Sequence, residues 1–264
     1  STNNKDALKF KEEYEKINGD KTSYSDNKYR TLKIDKNNPY IYSSAKEILE
    51  KINNKETFYV YFGSSYCPWC RSVIEKSIES AQKNNIKKIY YVDMWNGFHN
   101  EILRDTYKLN DENEATKEKD GTKEYYKLLE KFDNLLEDYT LTTDDGEEVK
   151  VGEKRIFAPD FIYVENGVAK RITSATSENQ KDADAKLTKE ILKDEEKSFN
   201  DFFKNNRLCK EGTDADSTVE MFKRGADTIR SYINDPSIGY CEVERVLDAA
   251  HAIRFQTPRI VNDI

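Results

Sequence analysis

Histidine, methionine, tryptophan and cysteine are scarce in this chain of 264 residues, which holds two, two, two and four of them. A zinc centre would have only His99, His251 and the cysteines as soft ligands. Structural zinc sites usually present two closely spaced ligand pairs, and here only Cys67 and Cys70 are close. No apolar run approaches the ~20 residues a membrane-spanning helix needs. Basic residues are interleaved with acidic ones and the net charge is -7, so no nucleic-acid footprint is present. A signal peptide is also lacking. The polar opening Ser1-Thr2-Asn3-Asn4-Lys5 is expected to be the start of a processed or truncated chain whose export signal is missing.

Charge and aromatic residues are plentiful. Charged residues make up 35% of the chain, hydrophobic ones 36% and aromatics 12%, with 17 Tyr. Mean hydropathy is -0.92. Apolar residues nonetheless fall in periodic blocks, the pattern of a packed core in a charged shell rather than of disorder.

Residues 1-38 read as a polar segment with one helix, Ala7 to Ile17, stopped by Gly19. Tyr40 to Tyr42 is extended. Ser43 and Ser44 are N-cap candidates for a helix from Ala45 to Ile52. Thr57 to Phe62 is an unbroken β-branched and aromatic run, a strand buried on both faces. A short loop and a helix to about Asn84 follow, then a strand from Ile86 to Met94. Strand, helix and strand form a βαβ unit. Residues 95-138 read as an insertion, irregular at first and then helical from Thr122 to Tyr139. Asp145-Gly146 and Asn166-Gly167 mark hairpin turns, the second between Ile156–Val164 and Val168–Thr173. A helix is expected from Asp184 to Asn205. Composition shifts near Asn206, after which two lysines face six arginines. Helices at 217–233 and 240–255 are expected there. The predicted organisation is 1-38, a main domain at 39-205, and a helical extension at 206-264.

Chemistry concentrates in Cys67-Pro68-Trp69-Cys70. Thiol–disulfide exchange needs a thiolate, a second thiol within reach and access for a partner disulfide. A C-x-x-C at a helix N-terminus places both sulfurs over the first turn, where the dipole and free N–H groups favour a thiolate. Pro68 fits that turn because its missing N–H is not needed there. Cys67, expected to be the more exposed, is the predicted attacking thiol, and Cys70 the resolving thiol. A zinc half-site and a purely structural disulfide remain alternatives. No cofactor or metal is expected. Cys209 and Cys241 are a candidate structural disulfide if the compartment is oxidising.

The stretch Tyr59-Val60-Tyr61-Phe62-Gly63-Ser64-Ser65-Tyr66-Cys67-Pro68-Trp69-Cys70 resembles the active-site segment of the thioredoxin superfamily. More narrowly, Phe10 to Phe203 resembles thioredoxin-like lipoproteins of low-GC Gram-positive bacteria, some known as bacteriocin transport accessory proteins. The resemblance implies an α/β thioredoxin fold, a central mixed sheet flanked by helices. It implies a cis-proline, for which Pro159 is the match, with Ala158 offering backbone to a substrate beside Cys67. It also implies protein or peptide thiol and disulfide substrates, a redox partner protein, and a place outside the cytoplasm, secreted or lipid-anchored. Two departures stand out. Thioredoxin carries a buried Asp where this chain has Tyr61, so proton transfer needs another group. Pro68-Trp69 looks like a glutaredoxin pair, but Ala158 and the long insertion fit that family poorly. The other reading is a non-catalytic accessory module on the same scaffold.

Overall fold

The computed structural model describes residues 2–22 and 26–204. Cys209, Cys241, His251 and the two helices expected after residue 206 lie outside the described residues. The chain divides into two compact units, Ser1–Phe202 and Phe203–Ile264; the elements below, up to the last turn of the final helix, belong to the first.

The elements are α1 (Thr2–Glu15), β1 (Tyr40–Tyr42), α2 (Ala45–Asn53), β2 (Phe58–Gly63), α3 (Pro68–Lys83), β3 (Ile89–Asp93), β4 (Thr106–Leu109), β5 (Ala115–Lys119), α4 (Lys123–Phe132), β6 (Asp138–Thr142), β7 (Glu148–Lys154), β8 (Asp160–Glu165), β9 (Val168–Thr173) and α5 (Lys189–Lys204). The fold is mixed α/β, a five-stranded sheet ordered β1-β3-β2-β8-β9 and flanked by helices, with two separate hairpins. No helix among the described residues is long and apolar enough to cross a membrane.

β2 is the centre of the sheet and all six of its residues are buried. It runs parallel to β3 and antiparallel to β8, so its continuous apolar run is needed on both faces. Tyr61 stacks on Phe161 at 4.5 Å and on Tyr91 at 5.2 Å between ring centroids. Phe10 of α1 stacks on Tyr14 and Tyr40, which extends the aromatic core to the sheet edge. The register sets Phe62 opposite Asp160. The exit of β2 toward Cys67 therefore lies beside the entry to β8 that follows Pro159.

Local signals explain the elements that were expected. Ser44 and Glu47 close a capping box on α2. Asn166 and Gly167 turn β8 into β9 with positive φ values of 50° and 76°, as a two-residue hairpin loop requires. The insertion differs from the expectation of an irregular stretch followed by a helix to Tyr139. Residues 106–119 form the β4–β5 hairpin, closed by Asn110, whose Oδ1 accepts from Glu112 and Glu114 N–H. Its strands carry charge pairs such as Lys108–Glu118 at 3.3 Å, and Tyr107 meets the Tyr139 ring at 6.0 Å. α4 stops at Phe132, and Asp138 already pairs with Lys154 in the β6–β7 hairpin.

Candidate functional site

Cys67 is the N-cap of α3, in extended backbone conformation, with Pro68 in the first turn. Its Sγ accepts from the Cys70 N–H at 3.3 Å and donates to the Ala158 carbonyl at 3.4 Å. The Ala158–Pro159 peptide is cis. The structure thus brings Cys67, Pro68, Trp69, Cys70, Ala158 and Pro159 together from two distant parts of the chain. Both cysteines are free thiols. Cys67 is the more exposed of the two, but both are buried: it is 3% exposed and Cys70 is 0% exposed. Cys67 meets the outside through a cavity of about 450 Å³, which Trp69, Trp95, Phe98, Arg104 and Phe157 also line.

The two sulfurs differ in charge preference. Burial opposes ionisation of Cys67. The Cys70 thiol, the Cys70 and Trp69 N–H groups and the Arg104 guanidinium together outweigh burial and hold the Cys67 thiol below its ordinary value. Burial pushes the Cys70 thiol well up, and the neighbouring Cys67 adds to the effect. The shifts run in opposite directions three residues apart: the surroundings favour the thiolate at Cys67, which lines the cavity, and the thiol at Cys70.

Several residues at the site carry no sequence signal. Arg104 sits in the polar insertion and is buried beside Glu101, with Nη2 at 2.6 Å from Oε1. It also donates to the Ile156 carbonyl at 2.9 Å, which ties the insertion to the segment before Pro159. Glu101 Oε1 accepts from Trp95 Nε1 at 3.0 Å, so one carboxylate holds two cavity walls. The Phe98 and His99 rings pack at 4.1 Å. Asp160 Oδ2 accepts from Phe157 N–H at 2.6 Å and braces the turn around Pro159. Burial pushes the Asp160 carboxyl up to about 8.

Behind the thiols, Tyr61 occupies the position for which another proton-handling group was sought. Its hydroxyl lies 2.8 Å from the Tyr14 hydroxyl and favours the ionised form of the neighbouring Cys70. A Cβ on Gly63 would fall 2.2 Å from the Tyr61 oxygen, so the close approach requires glycine there. Arg71, next to Cys70 and 1% exposed, donates to Tyr14 O at 2.8 Å, Ser65 O at 3.2 Å, Asn18 Oδ1 at 2.7 Å and Arg30 O at 2.5 Å. It anchors the loop before Cys67 to the N-terminal segment. No cluster of three or more His, Cys, Asp or Glu side chains suited to a metal occurs among the described residues.

The chain matches the SpoVR like protein family over residues 196–263. That stretch begins inside α5 and contains none of the site residues just described. No curated protein matches the chain. The expected membership of the thioredoxin superfamily is corrected by this result, as is the narrower likeness to thioredoxin-like lipoproteins and bacteriocin transport accessory proteins. The family match falls elsewhere, and no thioredoxin-family match accompanies it.

Proposed function

We propose that the first unit is a thiol–disulfide oxidoreductase on a thioredoxin-type arrangement of strands, a reading of architecture and chemistry with no family membership attached. The strand order β1-β3-β2-β8-β9 supports the architecture. The chemistry is carried by one observation: the Cys67 sulfur caps α3 and lies 3.4 Å from the Ala158 carbonyl, beside the cis peptide.

In the reductive direction, the Cys67 thiolate attacks one sulfur of a substrate disulfide. The substrate S–S bond breaks, a Cys67–substrate bond forms, and the departing sulfur takes a proton. Cys70 then loses its proton and displaces the second substrate thiol. The protein ends as the Cys67–Cys70 disulfide and the substrate as two thiols, with two electrons and two protons transferred. The reverse sequence oxidises a dithiol. No cofactor enters either direction. Tyr61 and Tyr14 line the path beside Cys70, where the second deprotonation must occur.

The test is a redox titration combined with alkylation. Wild type should form the Cys67–Cys70 disulfide reversibly and reduce a model peptide disulfide, and Cys67→Ser should abolish turnover. A midpoint near about -270 mV would mark a reductant and one near about -120 mV an oxidant. The slight exposure of Cys67, at 3%, favours a second reading, a partner-binding module without turnover. A reversible disulfide with no exchange onto any peptide would select that reading.

A further inference from the structure

The cavity beside Cys67 is larger than contact between two sulfurs requires. Its volume of about 450 Å³ falls within the range of about 300–1,000 Å³ typical of ligand sites. Trp69, Trp95, Phe98 and Phe157 give it aromatic walls. Its buried polar groups already have partners. Arg104 is neutralised by Glu101, and the Trp95 N–H is held by the same carboxylate. Most of the remaining wall is ring surface, with the exposed His99 and Asp182 also in the lining. Phe157 is 38% exposed and immediately precedes Ala158, whose carbonyl meets the Cys67 sulfur. Exposed apolar surface at the mouth of a reactive site gains most when a ligand covers it.

We propose that this cavity is a side-chain pocket that selects peptide disulfides with a bulky apolar residue, aromatic or long aliphatic, beside the cysteine that Cys67 engages. The proposal rests on the oxidoreductase reading and deepens it. While the side chain is held against the rings, the Cys67 thiolate attacks the adjacent peptide sulfur and the peptide S–S bond breaks. The leaving sulfur is protonated by solvent. Cys70 then releases the bound half as a thiol, which leaves the protein as a disulfide and the peptide reduced by two electrons.

The selectivity comes from the segment between β3 and β4. Glu101 binds Trp95 Nε1, Arg104 Nε at 2.7 Å and the Arg104 N–H at 2.9 Å, so the wall is rigid before substrate arrives. A preorganised apolar wall pays little ordering entropy on binding. It discriminates by size and polarity, its one buried ion pair being internally balanced, and the exposed Asp182 carboxylate in its lining further disfavours an acidic side chain.

The test uses the full chain, reduced, with disulfide-bonded peptides of equal length and charge in which the residue beside the cysteine is Phe, Leu, Ala or Asp. Oxidised 2-mercaptoethanol, which has no side chain, is measured alongside. The Phe and Leu peptides should exceed the Ala peptide in kcat/KM by about tenfold or more, equivalent to about 1.4 kcal/mol. The Phe-to-Ala ratio should collapse below about threefold in Phe98→Ser and in Phe157→Ser. Phe157 is already at the surface, so that variant should fold even if the Phe98 variant does not. Equal rates for all four peptides overturn the pocket, as does a ratio unchanged in the Phe157 variant. If exchange with oxidised 2-mercaptoethanol persists in either case, the oxidoreductase reading survives. Failure of every disulfide to react would remove both.

Discussion

Glu195 offers a prediction whose magnitude comes from the structure alone. Its side chain is fully buried on α5, and neither carboxyl oxygen has a hydrogen-bond partner. Burial raises its pKa from 4.5 to about 8, against the pull of Lys76 and Arg30. The native state thus keeps a proton that the unfolded chain releases above 4.5. Stability is highest below that value and falls as pH rises to about 8, where the native carboxyl also ionises. At about 1.36 kcal/mol per unit, the span is worth about 3–5 kcal/mol. The perturbation is Glu195→Gln, which keeps the shape and cannot titrate. The assay is urea unfolding of wild type and variant at intervals from pH 5 to 9. Other buried carboxyls, Asp160 among them, titrate in both proteins and cancel in the difference. Wild type should lose about 1.4 kcal/mol per pH unit relative to the variant. With m of about 3 kcal/mol/M, its midpoint falls by about 0.5 M per unit. Parallel stability curves for the two proteins would refute the reasoning, because Glu195 would then be ionised or solvated in the native state.

Three further outcomes follow from the thiol surroundings. Tyr61→Phe removes the hydroxyl that pairs with Tyr14 and favours the thiolate of Cys70. It should destabilise the fold by about 1–3 kcal/mol and slow release of a Cys67 mixed disulfide about tenfold, with Cys67 alkylation unchanged. Arg71→Lys cannot reproduce four hydrogen bonds from one guanidinium, so urea unfolding should register a loss of about 3 kcal/mol or more. Arg104→Gln withdraws the cation that favours the Cys67 thiolate. The pH midpoint of iodoacetamide alkylation should move upward, whereas Arg104→Lys should restore part of the shift.

Elements that depend on neighbours in sequence were legible. The buried run of β2, the Ser44–Glu47 box, the Cys-x-x-Cys helix start and the Asn166-Gly167 turn each rest on contacts within a few residues. What depends on distant partners was not. Tyr61 reads as a core aromatic until Tyr14, 47 positions away, is placed against its hydroxyl. Arg104 reads as one more surface charge in a polar stretch until Glu101 and Ile156 enclose it. The β4–β5 hairpin carries only a short signal, Tyr107 and Leu109 alternating with polar residues in β4 and no apolar partner set beyond Ala115 in β5, too little to mark a half-buried strand. The place of Pro159 beside Cys67 was expected only through the family resemblance, because the Phe62–Asp160 register that sets it there is encoded by no local pattern. How deeply Cys67 is covered was not legible for the same reason: the cavity walls around it come from residues 95–104 and 157.

The family match and the thiol site occupy different parts of the chain, and that separation can be tested. Function belongs to a site rather than to a matched stretch. The groups described around Cys67 and Cys70 lie between residues 14 and 183, whereas the SpoVR like protein match starts at residue 196. The first unit has its own sheet and aromatic core and ends at Phe202. A chain ended after Lys204 retains all of α5, including Glu195 and Phe199. It should unfold in one cooperative transition. Its Cys67 should alkylate within about twofold of the full-length rate, with the same pH midpoint. The chemistry would then belong to the first unit, and the SpoVR-like stretch would carry some separate role. If the shortened chain folds but Cys67 reverts to the reactivity of an ordinary thiol, residues after 204 are part of what tunes the sulfur. The match would then bear on the chemistry after all.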